Sequence, residues 1–182
     1  MAGMLRRTVV LVGMMGAGKT AVGGALARRL GVPFLDSDDA LEAAARMTIA
    51  EIFARDGEDF FRRKEVQVIA RLLAGPPCVL STGGGAWLRP ENRAAIAARG
   101  VSVWLRVPID VLWARVRQKD TRPLLRTPDP RATLEALAAE RAPAYALADI
   151  TVDSDGQVSV AEMVDRVTEA LARHGGVLEG AR

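Results

Sequence analysis

Short apolar runs alternate along this chain with longer stretches in which apolar residues recur every three or four positions. The runs are "TVVLV" at 8–12, "VPFL" at 32–35, "CVLS" at 78–81, "VSVWL" at 101–105 and "ITV" at 150–152. Each is too short for an ordinary helix and predicts a strand. The stretches between them predict helices over about 18–30, 39–55 in two pieces, 58–74, 90–98, 109–117, 131–142 and 158–173. Strands that alternate with helices imply βαβ units around a parallel sheet, so the chain falls in the α/β class. Neither an internal repeat nor a linker interrupts the 182 residues, which are expected to form one domain over 1–182. The one unusual connection is "RQKDTRPLLRTPDPR" at 117–131, basic and carrying three prolines, at a length where loops tend to be functional. The tail from about 174 to 182 is expected to fray.

Two helical stretches carry charge on the wrong side. In "GEDFFRRKEVQVIARLLAG", Val66, Ile69, Leu72 and Leu73 form the apolar stripe, with Phe61 and Val68 at its margin, yet Arg62 and Glu65 fall inside it. An inward arginine needs an anion. Glu65, three residues on, satisfies it locally; alternatively Glu65 holds Arg62 at a pocket where it meets a substrate carboxylate. "RATLEALAAERAPAYA" repeats the pattern: Leu134, Leu137 and Ala138 share a face with Arg141, and Pro143 is expected to end or kink the helix. Glu140 or Glu135 offers Arg141 a local partner, while two inward guanidiniums together suit one small acid.

Chemistry concentrates in three loops that follow strands. "GMMGAGKT" at 13–20 fits G-x-x-x-x-G-K-S/T between an apolar strand and a helix. Its glycines let the backbone wrap phosphate oxygens while N–H groups at the helix start point at the anion. Lys19 then reaches the β- and γ-phosphates, and the Thr20 hydroxyl can hold Mg²⁺. After the second strand, "LDSDD" places Asp36 and Asp38 two apart, on one side of an extended backbone, and Asp39 as a helix cap. One acid can position Mg²⁺ and another accept a proton from a substrate hydroxyl, unless all three merely begin a helix. After the third strand, the consecutive glycines of "STGGGAWL" imply close backbone approach or a plain flexible turn.

Composition trims the possibilities. The 25 Lys and Arg nearly match the 22 Asp and Glu, and aromatics make up 4%, so a nucleic-acid partner is not expected. The apolar runs are too short to cross a bilayer, and Arg6 and Arg7 lead into the phosphate loop rather than a cleavage site, so a cytoplasmic protein without a membrane partner is expected. One cysteine, Cys78, and one histidine, His174, exclude an intrachain disulfide, a thiolate metal cluster and a histidine triad. The single asparagine, Asn92, excludes the Asn-Lys-x-Asp guanine motif, which favours ATP.

Taken in series, "GMMGAGKT", "DSD", "GEDFFRRKE", "STGGGA", "TRPLL" and "ERAPAY" resemble shikimate kinase in order and spacing, from about residue 8 to residue 170. The resemblance implies the P-loop kinase fold: a five-stranded parallel sheet flanked by helices on both faces, with a mobile lid at 117–131. It implies transfer of the γ-phosphoryl of ATP to the 3-hydroxyl of shikimate with Mg²⁺. On that likeness Gly16, Ala17, Gly18, Lys19, Thr20 and Ala21 hold the nucleotide, with Arg115 stacked on adenine and Gln157 in the adenine loop. Thr20 and Asp36 are the magnesium-side residues. Asp38 contacts the shikimate hydroxyls, Arg62 and Arg141 grip the carboxylate, Gly84, the middle glycine, offers its backbone N–H to the ligand with Gly83 and Gly85 beside it, and Phe53 and Phe61 supply apolar walls. Lys19, Asp38 and Arg122 are the catalytic set, Arg122 being the lid arginine. The chain departs from some relatives at Gln157, where they carry arginine. A monomer is expected. The rival readings are gluconate kinase, nucleoside monophosphate kinase, an ATP-dependent switch and a nucleic-acid binder.

Overall fold

The computed structural model describes residues 4–118 and 125–180. A two-residue strand β1 (Met4–Leu5) precedes β2 (Thr8–Val12), α1 (Lys19–Leu30), β3 (Phe34–Asp36), α2 (Ser37–Ala45) and α3 (Ile49–Leu73). Then follow β4 (Val79–Ser81), a 3₁₀ turn at Ala86–Leu88, α4 (Pro90–Arg99), β5 (Gly100–Arg106), α5 (Ile109–Val116), α6 (Pro130–Tyr145), β6 (Ile150–Asp153), α7 (Val160–His174) and β7 (Leu178–Glu179). Five strands form one parallel sheet in the order β3-β4-β2-β5-β6. Its centre, β2, is buried at every residue, as an apolar run covered on both faces must be. At the edge, β6 alternates buried Ile150 and Val152 with exposed Thr151 and Asp153. Helices cover both faces: α1 packs with α7, and α4 lies against α3 and β5.

The register sets the working end of the sheet. Leu11 pairs with Ser81, and Ser81 with Asp36, so the loops after β2, β3 and β4 leave side by side at the carboxyl ends of their strands. A large core around the sheet includes Leu11, Leu26, Ile69, Leu80, Val103 and Leu134. A smaller one, Leu41, Ile52, Phe61 and Val68, joins α2 to α3. Phe61 and Val68 are thus central to the buried face of α3 rather than marginal.

Three features differ from expectation. Asp36, not Asp39, caps α2: its Oδ1 accepts from the Asp38 N–H at 2.8 Å and the Asp39 N–H at 3.2 Å. Consequently Asp38 lies in the first helical turn, not on extended backbone. Helix α3 is interrupted at Gly57 (φ 84, ψ 171), the boundary expected between the stretches 39–55 and 58–74. Helix α6 passes through Pro143 to Tyr145, because a proline this near the end forgoes only the bond to the Ala139 carbonyl. Finally, the tail is fastened where fraying was expected: Val177 is fully buried and β7 pairs antiparallel with β1, Met4 opposite Glu179.

Candidate active site

Between β2 and α1 the backbone turns through Gly16 (φ 82) and Gly18 (φ 94), conformations that cost an L side chain strain. Helix α1 then starts with no side-chain cap and no acid in its first turn, the kind of helix start at which backbone N–H groups meet an anion. Lys19 Nζ donates to the Gly13 carbonyl at 2.5 Å and the Met14 carbonyl at 3.2 Å, folding the ammonium over the loop. Arg115, from α5, donates to the Gly16 carbonyl at 2.9 Å, bringing a second cation to the same turn.

These groups line one end of a cavity of about 1100 Å³, together with Ala17, Thr20 and Ala21. Its other walls carry Asp36, Asp38, Phe53, Phe61, Arg62, Gly83, Gly84, Gly85 and Arg141. The motifs spread along the chain therefore meet in one space. Gln157 is exposed and outside that lining, although Ser154 and Val158 beside it are part of the wall. Arg122 lies outside the described residues, as does much of the expected lid.

At the triple glycine the absent side chains leave room for charged groups. A Cβ on Gly83 would stand 2.8 Å from Asp38 Oδ1, one on Gly84 2.9 Å from Arg141 Nη1, and one on Gly85 2.7 Å from Arg62 Nη1. Each missing side chain is replaced by one charged group, and the three charges are thereby gathered around a single turn.

Both inward arginines are accounted for differently. Arg62 bonds Glu65 Oε1 at 2.9 Å, and its guanidinium carbon stands 5.1 Å from the centre of the Phe61 ring. The local ion pair and the pocket-facing arginine are thus the same object. Arg141 is 5% exposed, and its Nη1 has no hydrogen-bond partner among the described residues, so neither Glu135 nor Glu140 satisfies it. A buried unpaired guanidinium nitrogen is costly unless an anion arrives.

Burial pushes the Asp38 carboxyl up to about 7, with the charges of Asp36 and Glu65 adding to the effect and Lys19 and Arg62 opposing it. Burial also raises Asp36 and Glu65, the latter against the pull of Arg62. All three carboxyls line the cavity, the setting in which functional carboxyls are often found shifted.

Sequence reasoning missed Tyr145, whose hydroxyl donates to the Gly84 carbonyl at 2.6 Å. The signal was present: it is the only tyrosine and lies one helical turn beyond Arg141. Ser81 and Thr82 line the cavity, but the Thr82 hydroxyl is already committed to the Leu11 carbonyl at 3.1 Å.

Thr20 and Asp36 supply a hydroxyl and a carboxylate, hard oxygen donors of the kind Mg²⁺ takes alongside phosphate oxygens and water. Among the described residues no group of three or more His, Cys, Asp or Glu could hold a metal ion.

Comparison with known proteins bears on this geometry. The family model described as shikimate kinase matches residues 15–172. A shikimate kinase of Ruegeria pomeroyi is 66% identical over 178 residues, covering 98% of this chain and 91% of that protein. One of Cereibacter sphaeroides is 66% identical over 175 residues, covering 96% and 87%. The solved structure of the Acinetobacter baumannii shikimate kinase in complex with shikimate superposes with a TM-score of 0.85 at 36% identity, over 90% of this chain and 91% of that one.

Proposed function

The chain belongs to the shikimate kinase family and is an ATP-dependent kinase that phosphorylates shikimate, and we propose that Asp38, Arg62 and Arg141 are the groups that hold and activate the acceptor. The observation that carries this assignment is the arrangement of Asp38, Arg141 and Arg62 against Gly83, Gly84 and Gly85 in turn. Two guanidiniums, one with a buried unpartnered nitrogen, suit a carboxylate; a carboxyl beside them suits a hydroxyl. Phe53 and Phe61, with ring centres 4.8 Å apart, supply an apolar wall for the ring of the acceptor.

The reaction forms a bond between the acceptor 3-oxygen and the γ-phosphorus and breaks the bond to the β–γ bridging oxygen, releasing ADP. The hydroxyl proton passes to the Asp38 carboxylate, whose elevated pKa makes it a better base than an ordinary aspartate. Phosphoryl transfer asks mainly for alignment and charge neutralisation, which fall to Lys19, the α1 N-terminus and Arg122 of the lid. Thr20 and Asp36 would hold Mg²⁺, which supplies further positive charge at the phosphates. Gly16 to Ala21 would cradle those phosphates, with Arg115 against the base and Gln157 at the adenine loop. One chain furnishes both sides of the cavity, and the working unit in this reading is a single monomeric kinase domain. Among the described residues no helix is long and apolar enough to cross a membrane, and we place the enzyme in the cytoplasm.

The test is ADP release from Mg-ATP with shikimate, gluconate, AMP or no acceptor. Strong stimulation by shikimate alone is expected. A folded, ATP-binding protein that shikimate does not stimulate would overturn the acceptor assignment.

A further inference from the structure

One buried titratable side chain has no part in that scheme. Tyr145, at the end of α6, is 1% exposed and does not line the cavity, whereas Gly84 and Gly85 do. Its ring stacks on Trp104 of β5, with centres 5.7 Å apart and planes 28° apart. Trp104 in turn lies beside Gly13 at the start of the phosphate loop. The Tyr145 hydroxyl donates to the Gly84 carbonyl at 2.6 Å and stands 3.9 Å from the Met14 sulfur. One side chain thus touches both the acceptor turn and the phosphate loop, from behind.

The peptide joining Gly84 to Gly85 is trans. A planar trans peptide carries its N–H opposite its carbonyl, so a carbonyl held toward Tyr145 turns the Gly85 N–H the other way, toward the cavity. That N–H donates to no group among the described residues. The same helix places Arg141 Nη1 against Gly84, one turn before Tyr145.

We propose that Tyr145 is a positioning residue for the acceptor: its hydroxyl fixes the Gly84–Gly85 peptide so that the Gly85 N–H presents to an acceptor oxygen beside Arg141. The proposal rests on the reading that this end of the cavity takes shikimate. Without the hydroxyl, the peptide is free to rotate, and the donor must be ordered anew each time the acceptor binds. Binding of the acceptor then weakens while the nucleotide side, fixed by its own loop and by Lys19, changes little.

Tyr145→Phe removes the hydroxyl and keeps the ring on Trp104. The expected result is a KM for shikimate raised about ten-fold, as the loss of one buried hydrogen bond implies, with KM for ATP changed by less than about two-fold. Amide hydrogen exchange should quicken at residues 83–86 and not across the sheet. Both KM values rising together, exchange quickening everywhere, or no change in either measurement would each overturn the proposal. If the unaltered enzyme shows no shikimate-dependent ADP release, the acceptor reading fails by itself, and exchange at 83–86 still decides whether Tyr145 holds the turn. If Tyr145→Phe does not fold, 3-fluorotyrosine placed throughout labels this position alone, since the chain has one tyrosine. Its ¹⁹F resonance should move when shikimate is added without nucleotide; an unmoved resonance counts against the role.

Discussion

The phosphate loop takes its working groups from eight consecutive residues, Gly13 to Thr20, whereas the acceptor side gathers Asp38 from α2, Arg62 from α3, three glycines after β4 and Arg141 from α6. The first is held by backbone geometry: positive φ at Gly13, Gly16 and Gly18 and an uncapped helix start. The second is held by packing, each charge lodged where a glycine has no side chain, above the small core of Leu41, Ile52, Phe61 and Val68. A site of the first kind tolerates change elsewhere in the molecule. One of the second kind depends on several elements keeping their places, and is where substitutions should separate acceptor binding from nucleotide binding.

The most severe test of that separation is Asp38→Asn. Loss of the carboxylate should lower kcat about 10²- to 10⁴-fold while leaving ATP affinity intact, measured by shikimate-dependent ADP release beside a nucleotide titration. Equal loss of ATP affinity would show that the two regions do not act separately. Next comes Arg62→Ala, expected to lower kcat/KM for shikimate roughly 100-fold or more, because it removes a charge-assisted contact and strands buried Glu65. Pairing it with Glu65→Gln should restore folding stability but not turnover; restored turnover would mean that Arg62 serves only its ion pair.

A smaller effect concerns stability in the metal- and nucleotide-free enzyme. Folded Asp38 keeps its proton to about pH 7, while in an unfolded chain it ionises near 4. Its contribution to stability is therefore full below about pH 4 and is lost as pH rises through about 7. Relative to Asp38→Asn, the unaltered protein should lose on the order of 2 kcal/mol between pH 5 and pH 8, read from urea midpoints. A difference that does not vary with pH would show that the carboxyl is not buried as described.

What was legible in the sequence follows the same division. Strands and helices carried their own periodicity, and β2 was bounded to the residue because "TVVLV" runs straight into a glycine. The phosphate loop was equally plain, since its spacing is its geometry. Arg62 and Arg141 stood out because each interrupts an apolar face, but only the fold shows that Arg62 is bonded to Glu65 while Arg141 Nη1 is unpartnered among the described residues. Asp36 was misjudged for a physical reason: three acids in four residues all resemble caps, and the choice among them depends on where β3 ends. Tyr145 was hidden because its function lies in a bond to a backbone carbonyl 61 positions away, which no local pattern encodes. The fastened tail was hidden likewise, by pairing between opposite ends of the chain.

That terminal ribbon has a mechanical consequence. Met4 and Glu179 face each other in register, so β1 begins and β7 ends at the same edge of the ribbon. A pull applied between the two ends loads the outermost pair first and opens the ribbon like a zipper, one bond at a time. The parallel sheet, whose central strand β2 is flanked on both sides, would feel that force only after the ribbon had parted.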